Sequence, residues 1–250
     1  MLTNQGYVSS CYSNSIVTVR TADKGRTAEA AGFVYDNQLV IDSSYADCIT
    51  TAQSDGTAKA AGFALKNGAA GLQVFSNSIH NCYALLEVAA KSYTSGSEPQ
   101  TGSVAGFVLT NAKNAGVADS YSASYLSGKT KLGFGPSSSD INNCYYLSFG
   151  GNQGASGAGT ALTEEGLHKL SLGNFWEKGT VSTTYPNSPS LSGMAYPYPK
   201  LSYLDHHGDW PEVVANDGTI FYYERYADNS YGIHFMENNY RAYSTLSDKA

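Results

Sequence analysis

No run of about 20 apolar residues occurs in this chain, so no segment is long enough to span a bilayer as a helix. Charge is scarce: Asp, Glu, Lys and Arg make up 14% of the 250 residues, well under the roughly 25% of ordinary globular chains. What charge there is leans acidic, with 15 Lys and Arg against 21 Asp and Glu. That argues against a nucleic-acid partner, which needs a basic footprint. The imbalance sits late in the chain: residues 1–150 hold 9 basic and 10 acidic side chains, residues 151–250 hold 6 and 11. The opening MLTNQGYVSS lacks the basic and apolar regions of a signal peptide. P-loop, GxGxxG, nucleophile-elbow, HExxH and CxxC patterns are all missing. No catalytic, cofactor-binding or metal-binding residue stands out.

Tyrosine, at 20, and glycine, at 26, are plentiful. Together with Ser and Asn they fit strands and turns better than helices, whose good formers Glu, Lys and Leu are sparse. Hydrophobic residues at 42% suffice for a core.

A five-residue pattern recurs: aliphatic, any residue, Ser/Asn/Asp, Cys/Ser, Tyr. It reads VSSCY at Val8–Tyr12, IDSSY at Ile41–Tyr45, IHNCY at Ile79–Tyr83, VADSY at Val117–Tyr121 and INNCY at Ile141–Tyr145. Alternating with it is AGF, at Ala31–Phe33, Ala61–Phe63 and Ala105–Phe107, and LGF at Leu132–Phe134. Tyr12, Tyr45, Tyr83, Tyr121 and Tyr145 are spaced 33, 38, 38 and 24 apart. A unit of about 24 residues cannot fold alone and must stack on its neighbours.

Short β-branched and aromatic elements bounded by Gly, Asn, Asp and Ser read as strands and turns. The expectation is an all-β chain, a right-handed parallel β-helix, over residues 1–148. Stacked repeats about 4.8 Å apart would form ladders: Phe33, Phe63, Phe107 and Phe134 inside, and Val8, Ile41, Ile79, Val117 and Ile141 beside them. Each glycine before Phe would permit close backbone approach. Ser10, Ser43, Asn81, Asp119 and Asn143 would cap a corner. Cys11, Ser44, Cys82, Ser120 and Cys144 share a position that needs only a small side chain. Successive cysteines of that column are two strand spacings apart, about 9.6 Å. That exceeds the roughly 7 Å limit for a disulfide, so free buried thiols are expected.

The Gly- and Ser-bearing insertions Thr21–Ala28, Thr51–Ala58 and Lys91–Gly102 lie in the same Tyr-to-Phe link and should emerge on one side. A fourth, Lys66–Asn77, lies in the other link.

From Gly6 to Leu147 the glycine–aromatic core followed by NCY resembles the GLUG-type repeats of bacterial surface proteins, adhesin-like proteins of Gram-positive gut bacteria among them. The resemblance implies a pectin-lyase-like β-helix in an extracellular, cell-surface role of adhesion or display.

After Leu147 the texture changes. Residues 149–160 read as a Gly-rich hinge. Residues 161–211 read as a helix, with Thr163 as N-cap and Glu164 and Glu165 in its first turn, followed by a Pro/aromatic cap. Leu162, Leu167 and Leu170 would face the last repeat, and the cap would cover strand edges otherwise open to other chains. Residues 212–250 read as a β-hairpin turning at ADNS, either the start of a further domain or a segment that lies back against the repeats. His206, His207, Asp205 and Asp209 cluster without a metal-site spacing. Tyr196, Tyr198, Trp210, Tyr222 and Tyr223 suit either a small core or a sugar ring.

Three functions follow as expectations. The first is a non-enzymatic surface module binding a glycan or a host or matrix protein, as a monomeric part of a longer multidomain protein. The second is a passive stalk. The third is a carbohydrate-active β-helix enzyme, which needs paired carboxylates on one exposed sheet.

Overall fold

The computed structural model describes residues 1–68, 78–97, 101–137, 140–148 and 155–172, and the strand segments 176–178, 197–199, 212–214, 220–225, 231–235 and 243–246. The Lys66–Asn77 and Lys91–Gly102 insertions, the Gly-rich hinge and the proline-rich region are therefore covered only in part. The ADNS turn and the Asp205–Asp209 cluster lie outside the described residues. The chain divides into two units, Met1–Lys200 and Leu201–Ala250.

In the first unit each repeat lays strands into three sheets in turn. The first repeat supplies β1 (Thr3–Asn4), β2 (Tyr7–Ser9), β3 (Tyr12–Thr21) and β4 (Thr27–Ala31). The second supplies β5 (Val34–Asn37), β6 (Val40–Asp42), β7 (Tyr45–Ser54) and β8 (Thr57–Ala61). The third supplies β9 (Ala64–Asn67), β10 (Ile79–His80), β11 (Tyr83–Lys91) and β12 (Thr101–Ala105). The fourth supplies β13 (Val108–Asn111), β14 (Val117–Ser127) and β15 (Thr130–Leu132), and the fifth opens with β16 (Ile141–Leu147). Sheet I is β1-β5-β9-β13 and sheet III is β4-β8-β12-β15. Sheet II joins β2-β6-β10-β14 to β3-β7-β11-β14-β16, and β17 (Thr160–Leu162) adds to β16. Neighbouring strands in all three sheets are parallel, as the repeats predict.

The interior follows the expected columns. Val8, Ile41, Ile79, Val117 and Ile141 stand in register. The rings of Phe33, Phe63, Phe107 and Phe134 stack with centroids 4.7, 4.7 and 4.6 Å apart. The stack is that tight because of the glycines: a Cβ on Gly32 or Gly62 would lie 2.1 Å from the carbonyl oxygen of the glycine in the next repeat. Ser10, Ser43, Asn81, Asp119 and Asn143 all take positive φ, between 46° and 54°. In that left-handed region short polar side chains cost least. After each such corner the chain alternates inward and outward, strictly so along β7. Alanines of sheets II and III, with Val88, Val104 and Leu126, fill the space between those sheets.

The small column is not chosen by size alone. Ser44 and Ser120 donate to the carbonyls of Asp42 and Ala118 at 2.8 and 2.7 Å. Cys82 and Cys144 donate their thiols to the carbonyls of His80 and Asn142 at 3.0 and 3.1 Å. Each bridges back over the left-handed residue, so the position needs a small donor, hydroxyl or thiol. The four cysteines are free, and Cys48, Cys82 and Cys144 are buried. Cys11 is exposed instead, because it lies in the first repeat, where no strand among the described residues stacks beyond it.

A further column runs at the corner between sheets I and II. Asn4, Asn37, Asn67 and Asn111 pass a hydrogen bond from each side-chain amide to the next side-chain oxygen, 2.8 Å at every step. The ladder closes on the carbonyl of Ala115 at 2.7 Å.

Past the fifth repeat, helix α1 (Glu164–His168) is a single short turn whose N-cap, Thr163, accepts from the Gly166 amide at 3.1 Å. Leu167, Leu172 and Trp176 pack with Tyr83, Leu85, Tyr121 and Leu147 on the outer face of sheet II, with Leu162 and Leu170 alongside. Trp176 itself is in a strand, β18 (Trp176–Lys178), antiparallel to β19 (Pro197–Pro199). In the second unit the expected hairpin, β21 (Ile220–Arg225) with β22 (Tyr231–Phe235), is the centre of a four-stranded antiparallel sheet. Its outer strands are β20 (Glu212–Val214) and β23 (Tyr243–Leu246).

Candidate functional site

Three of the insertions share the edge where sheet II passes into sheet III, between β3 and β4, β7 and β8, and β11 and β12. They are tied to one another. Asp23 accepts the Gly25 amide at 2.8 Å and meets Arg26 Nε at 3.4 Å. Ser54 Oγ donates to the Arg26 carbonyl at 3.1 Å, and Thr101 Oγ1 to the Gly56 carbonyl at 2.8 Å. Asp55 anchors the longest loop, accepting from Ser92 Oγ at 2.7 Å, from the Thr94 amide at 2.9 Å and from the Thr94 hydroxyl. Those donors, the Thr94 hydroxyl first, pull the exposed Asp55 carboxyl down to about 2. Tyr93 projects from this loop, exposed. The edge therefore presents a tyrosine, several hydroxyls and the Lys24 and Arg26 cations on a pinned backbone, a mixture suited to adaptable polar recognition.

Two polar clusters lie elsewhere in the first unit. At the left-handed corner, Asp42 receives His80 Nδ1 at 2.9 Å, Asn81 Nδ2 at 3.0 Å and Ser43 Oγ at 3.1 Å. Burial alone would raise its pKa, but these donors outweigh it and hold the carboxyl below its ordinary value. Asn81 Oδ1 in turn accepts Trp176 Nε1 at 3.3 Å, which fastens the segment after α1 to the third repeat. Asp119, the equivalent of Asn81 one repeat on, is instead bonded to Asn143.

The second cluster gathers Glu29, Tyr35, Lys59 and Lys66 from sheets III and I. Lys59 and Lys66 stand 3.3 and 3.9 Å from Glu29, which also accepts the Tyr35 hydroxyl. Lys66 donates to Tyr35 at 3.0 Å and lies over its ring. Desolvation opposes ionisation of Glu29, but the phenol and the two ammonium groups prevail and lower its pKa. Sequence reasoning missed this cluster.

The tyrosines that end each five-residue pattern point outward and form a row. Tyr12, Tyr45, Tyr83 and Tyr121 stack at 5.3, 4.7 and 5.3 Å. Tyr45 has a ring against each face, and Tyr83 and Tyr121 are buried, so none of these three offers the open flat platform a sugar ring stacks on. Trp176 tilts over Tyr83 and Tyr121. Of the other aromatic candidates, Tyr196 and Trp210 lie outside the described residues, and Tyr198, Tyr222 and Tyr223 are described as strand backbone.

Among the described residues no group of three His, Cys, Asp or Glu is placed to hold a metal ion, and no helix is long and apolar enough to cross a membrane. Comparisons of the chain with protein-family models, with curated proteins and with solved structures found no match.

Proposed function

We propose that the repeats form a right-handed parallel β-helix that serves, outside the cell, as a non-enzymatic recognition module. It holds the loop edge of sheets II and III toward a glycan or matrix partner. The handedness rests on the strong rule for crossovers between parallel strands. The observation that carries the recognition reading is the convergence of three insertions on one edge, with the Asp55 carboxylate fastening the Ser92–Thr94 segment to the neighbouring loop. Loops that merely drift in length have no need of such ties. The GLUG-type resemblance supports the same reading.

The test is a glycan and extracellular-matrix array probed with the whole chain and with a variant in which Lys91–Gly102 is replaced by a short Gly-Ser turn. Binding by the whole chain that disappears in the variant is expected. Binding that survives in the variant moves recognition elsewhere on the molecule. An array with no binding leaves the passive stalk as the better account.

A further inference from the structure

Several cations of the first unit are spent on carboxylates: Lys59 and Lys66 on Glu29, and Arg26 on Asp23. Arg20, Lys91 and Lys129 are not. No carboxylate among the described residues forms an ion pair with any of these three.

Register brings the three into one row. Ala52 and Ala90 face the interior, so Gln53 and Lys91, the next residues of β7 and β11, face out. Arg20 of β3 pairs with Gln53, and Gln53 with Lys91. Lys129, between β14 and β15, comes next: a Cβ on Gly128, just before it, would lie 3.6 Å from that of Ala90. The order across the repeats is Arg20, Gln53, Lys91, Lys129, at a strand spacing of about 4.8 Å. Arg20 and Lys129 are exposed and Lys91 is half-buried.

Such a row does nothing for folding. Like charges side by side on a sheet repel, and Lys91 and Lys129 sit in neighbouring repeats. The carboxylates close by are committed elsewhere: Asp23 to Arg26 and the Gly25 amide, Asp55 to Ser92 and Thr94. Of the described charged side chains on this edge, Arg20, Lys24, Arg26, Lys91 and Lys129 are cations and only Asp23 and Asp55 are carboxylates, although the chain as a whole carries −6.

The surroundings narrow the ligand. Tyr93, two residues after Lys91, is exposed, and so are Thr94, Ser95 and Ser97. Gln53 places a neutral amide between Arg20 and Lys91. Cations for carboxylate or sulfate groups, an amide and hydroxyls for sugar hydroxyls, and one open aromatic face for a sugar ring make the complement of an acidic carbohydrate. A nucleic acid fits less well. A duplex carries a charge every ~1.7 Å, and a row one side chain wide cannot match it where residues 1–150 hold 9 basic and 10 acidic side chains.

We propose that the row Arg20, Gln53, Lys91, Lys129 binds a linear acidic glycan, its chain laid across the repeats and its carboxylate or sulfate groups on the three cations. This rests on the loop-edge recognition proposed above and names the charge of the ligand.

The probes are fluorescein-labelled hyaluronan, which carries carboxylates, and chondroitin sulfate, which carries sulfates as well, with labelled dextran as the neutral glycan. Each is titrated with the whole chain and followed by anisotropy. Saturable binding of at least one acidic probe is expected, weakening as salt screens the row, with none of dextran. Binding of both assigns the carboxylate as the group held, and binding of chondroitin sulfate alone assigns the sulfate. Lys91→Gln and Lys129→Gln should each weaken binding about three- to fivefold with the urea midpoint unchanged. Lys91→Arg and Lys129→Arg should keep it, and so should Lys113→Gln, which removes an exposed lysine between β13 and β14. No saturable binding of either acidic probe overturns the proposal. So does unchanged affinity in both glutamine variants, or an equal loss in Lys113→Gln. A labelled DNA strand bound more tightly than the glycans overturns the assigned ligand. If a neutral glycan or a matrix protein binds the loop edge while both acidic probes fail, this inference falls and the recognition reading stands; if nothing binds, both fall.

Discussion

Replacing Asn67 by alanine removes the middle of the asparagine ladder, and the structure says what is stranded. Asn67 Oδ1 accepts from Asn37 Nδ2 at 2.8 Å and from Ser78 Oγ at 3.1 Å, and its amide donates to Asn111 Oδ1 at 2.8 Å. Ser78 keeps a second acceptor, the Gly116 carbonyl. Asn37 keeps the Leu39 carbonyl for one amide hydrogen and only the Ser78 carbonyl, at 3.5 Å, for the other. Asn111 Oδ1 loses its donor. One group is left unpaired, at about 1–3 kcal/mol, and one hydrogen bond worth about 1 kcal/mol is weakened, so the variant should lose about 2–4 kcal/mol. That is a large part of the roughly 5–15 kcal/mol a domain commands. Asn4→Ala, at the outer end, takes the donor from Asn37 Oδ1, one donor from the Val40 carbonyl and the acceptor from the Gly6 amide. Gly6 is exposed and Val40 half-buried, so water can replace those two partners, and the loss should be about 1 kcal/mol for the one buried group, Asn37 Oδ1. The assay is urea unfolding by tryptophan fluorescence in a Trp210→Phe background, which leaves Trp176, packed against Tyr83 and Tyr121, as the reporter. With slopes unchanged, midpoint shifts report stability. A loss for Asn67→Ala equal to or smaller than that for Asn4→Ala would refute the reasoning.

Gly62→Ala places a methyl 2.1 Å from the Gly106 carbonyl oxygen. It should destabilise by at least the ~1–3 kcal/mol of ordinary overpacking, whereas Gly6→Ala, with nothing within 4 Å, should leave the urea midpoint unchanged. A thiol reagent should label Cys11 alone in the native protein and all four cysteines after unfolding, because Cys48, Cys82 and Cys144 are buried and burial pushes the Cys144 thiol up to about 12. Rapid native labelling of a second cysteine contradicts the packing. Asp42 has a depressed pKa, so its contribution is present above the unfolded value of about 4 and is lost as pH falls through the lower folded value. Asp42→Asn should therefore flatten the acid limb of the stability profile, and an unaltered limb counts against the His80–Asn81 contacts. The Asp55 tie, with its carboxyl down at about 2, should still protect the Thr94 amide from hydrogen exchange near pH 3. Asp55→Ala should abolish that protection.

The interior columns were legible because every repeat writes the same residue at the same distance from its neighbours. Phe63 announces Phe107 through the Ala-Gly that precedes each, and Ile79 announces Val117 through the Ser, Asn or Asp two positions on. The asparagine ladder carried an equal signal, Asn37, Asn67 and Asn111 each four residues after a ladder phenylalanine. It went unread because Asn67 opens an insertion and looked like turn punctuation. The Cys/Ser column was read as a size requirement, since a donor's role is visible only once the left-handed corner beside it is known. The Glu29–Tyr35–Lys59–Lys66 cluster had no linear signature at all. Glu29 and Lys59 are brought side by side by the register of β4 on β8, and Tyr35 and Lys66 arrive from a different sheet. The tyrosines were recognised as a marker without a direction, although parity decides it: with Ser44 inward, Tyr45 must face out.

That parity separates two kinds of position. The inward columns are the same in all repeats and set the spacing, so a substitution there disturbs the repeats above and below. The outward residues answer only to whatever covers them. Tyr83 is buried beneath Trp176, and burial raises its hydroxyl well above its usual pKa. Tyr12, in the same column, stands exposed. The segment that carries Leu167, Leu172 and Trp176 reaches the third and fourth repeats and is fastened there by the Trp176–Asn81 hydrogen bond. The same column thus serves as core under that segment and as surface beyond it. Nothing in the spacing of the repeats constrains what the outward face of the first two becomes. Changes at Tyr7, Ile16 or the loop edge alter exposed surface without touching the phenylalanine and asparagine ladders that hold the repeats together.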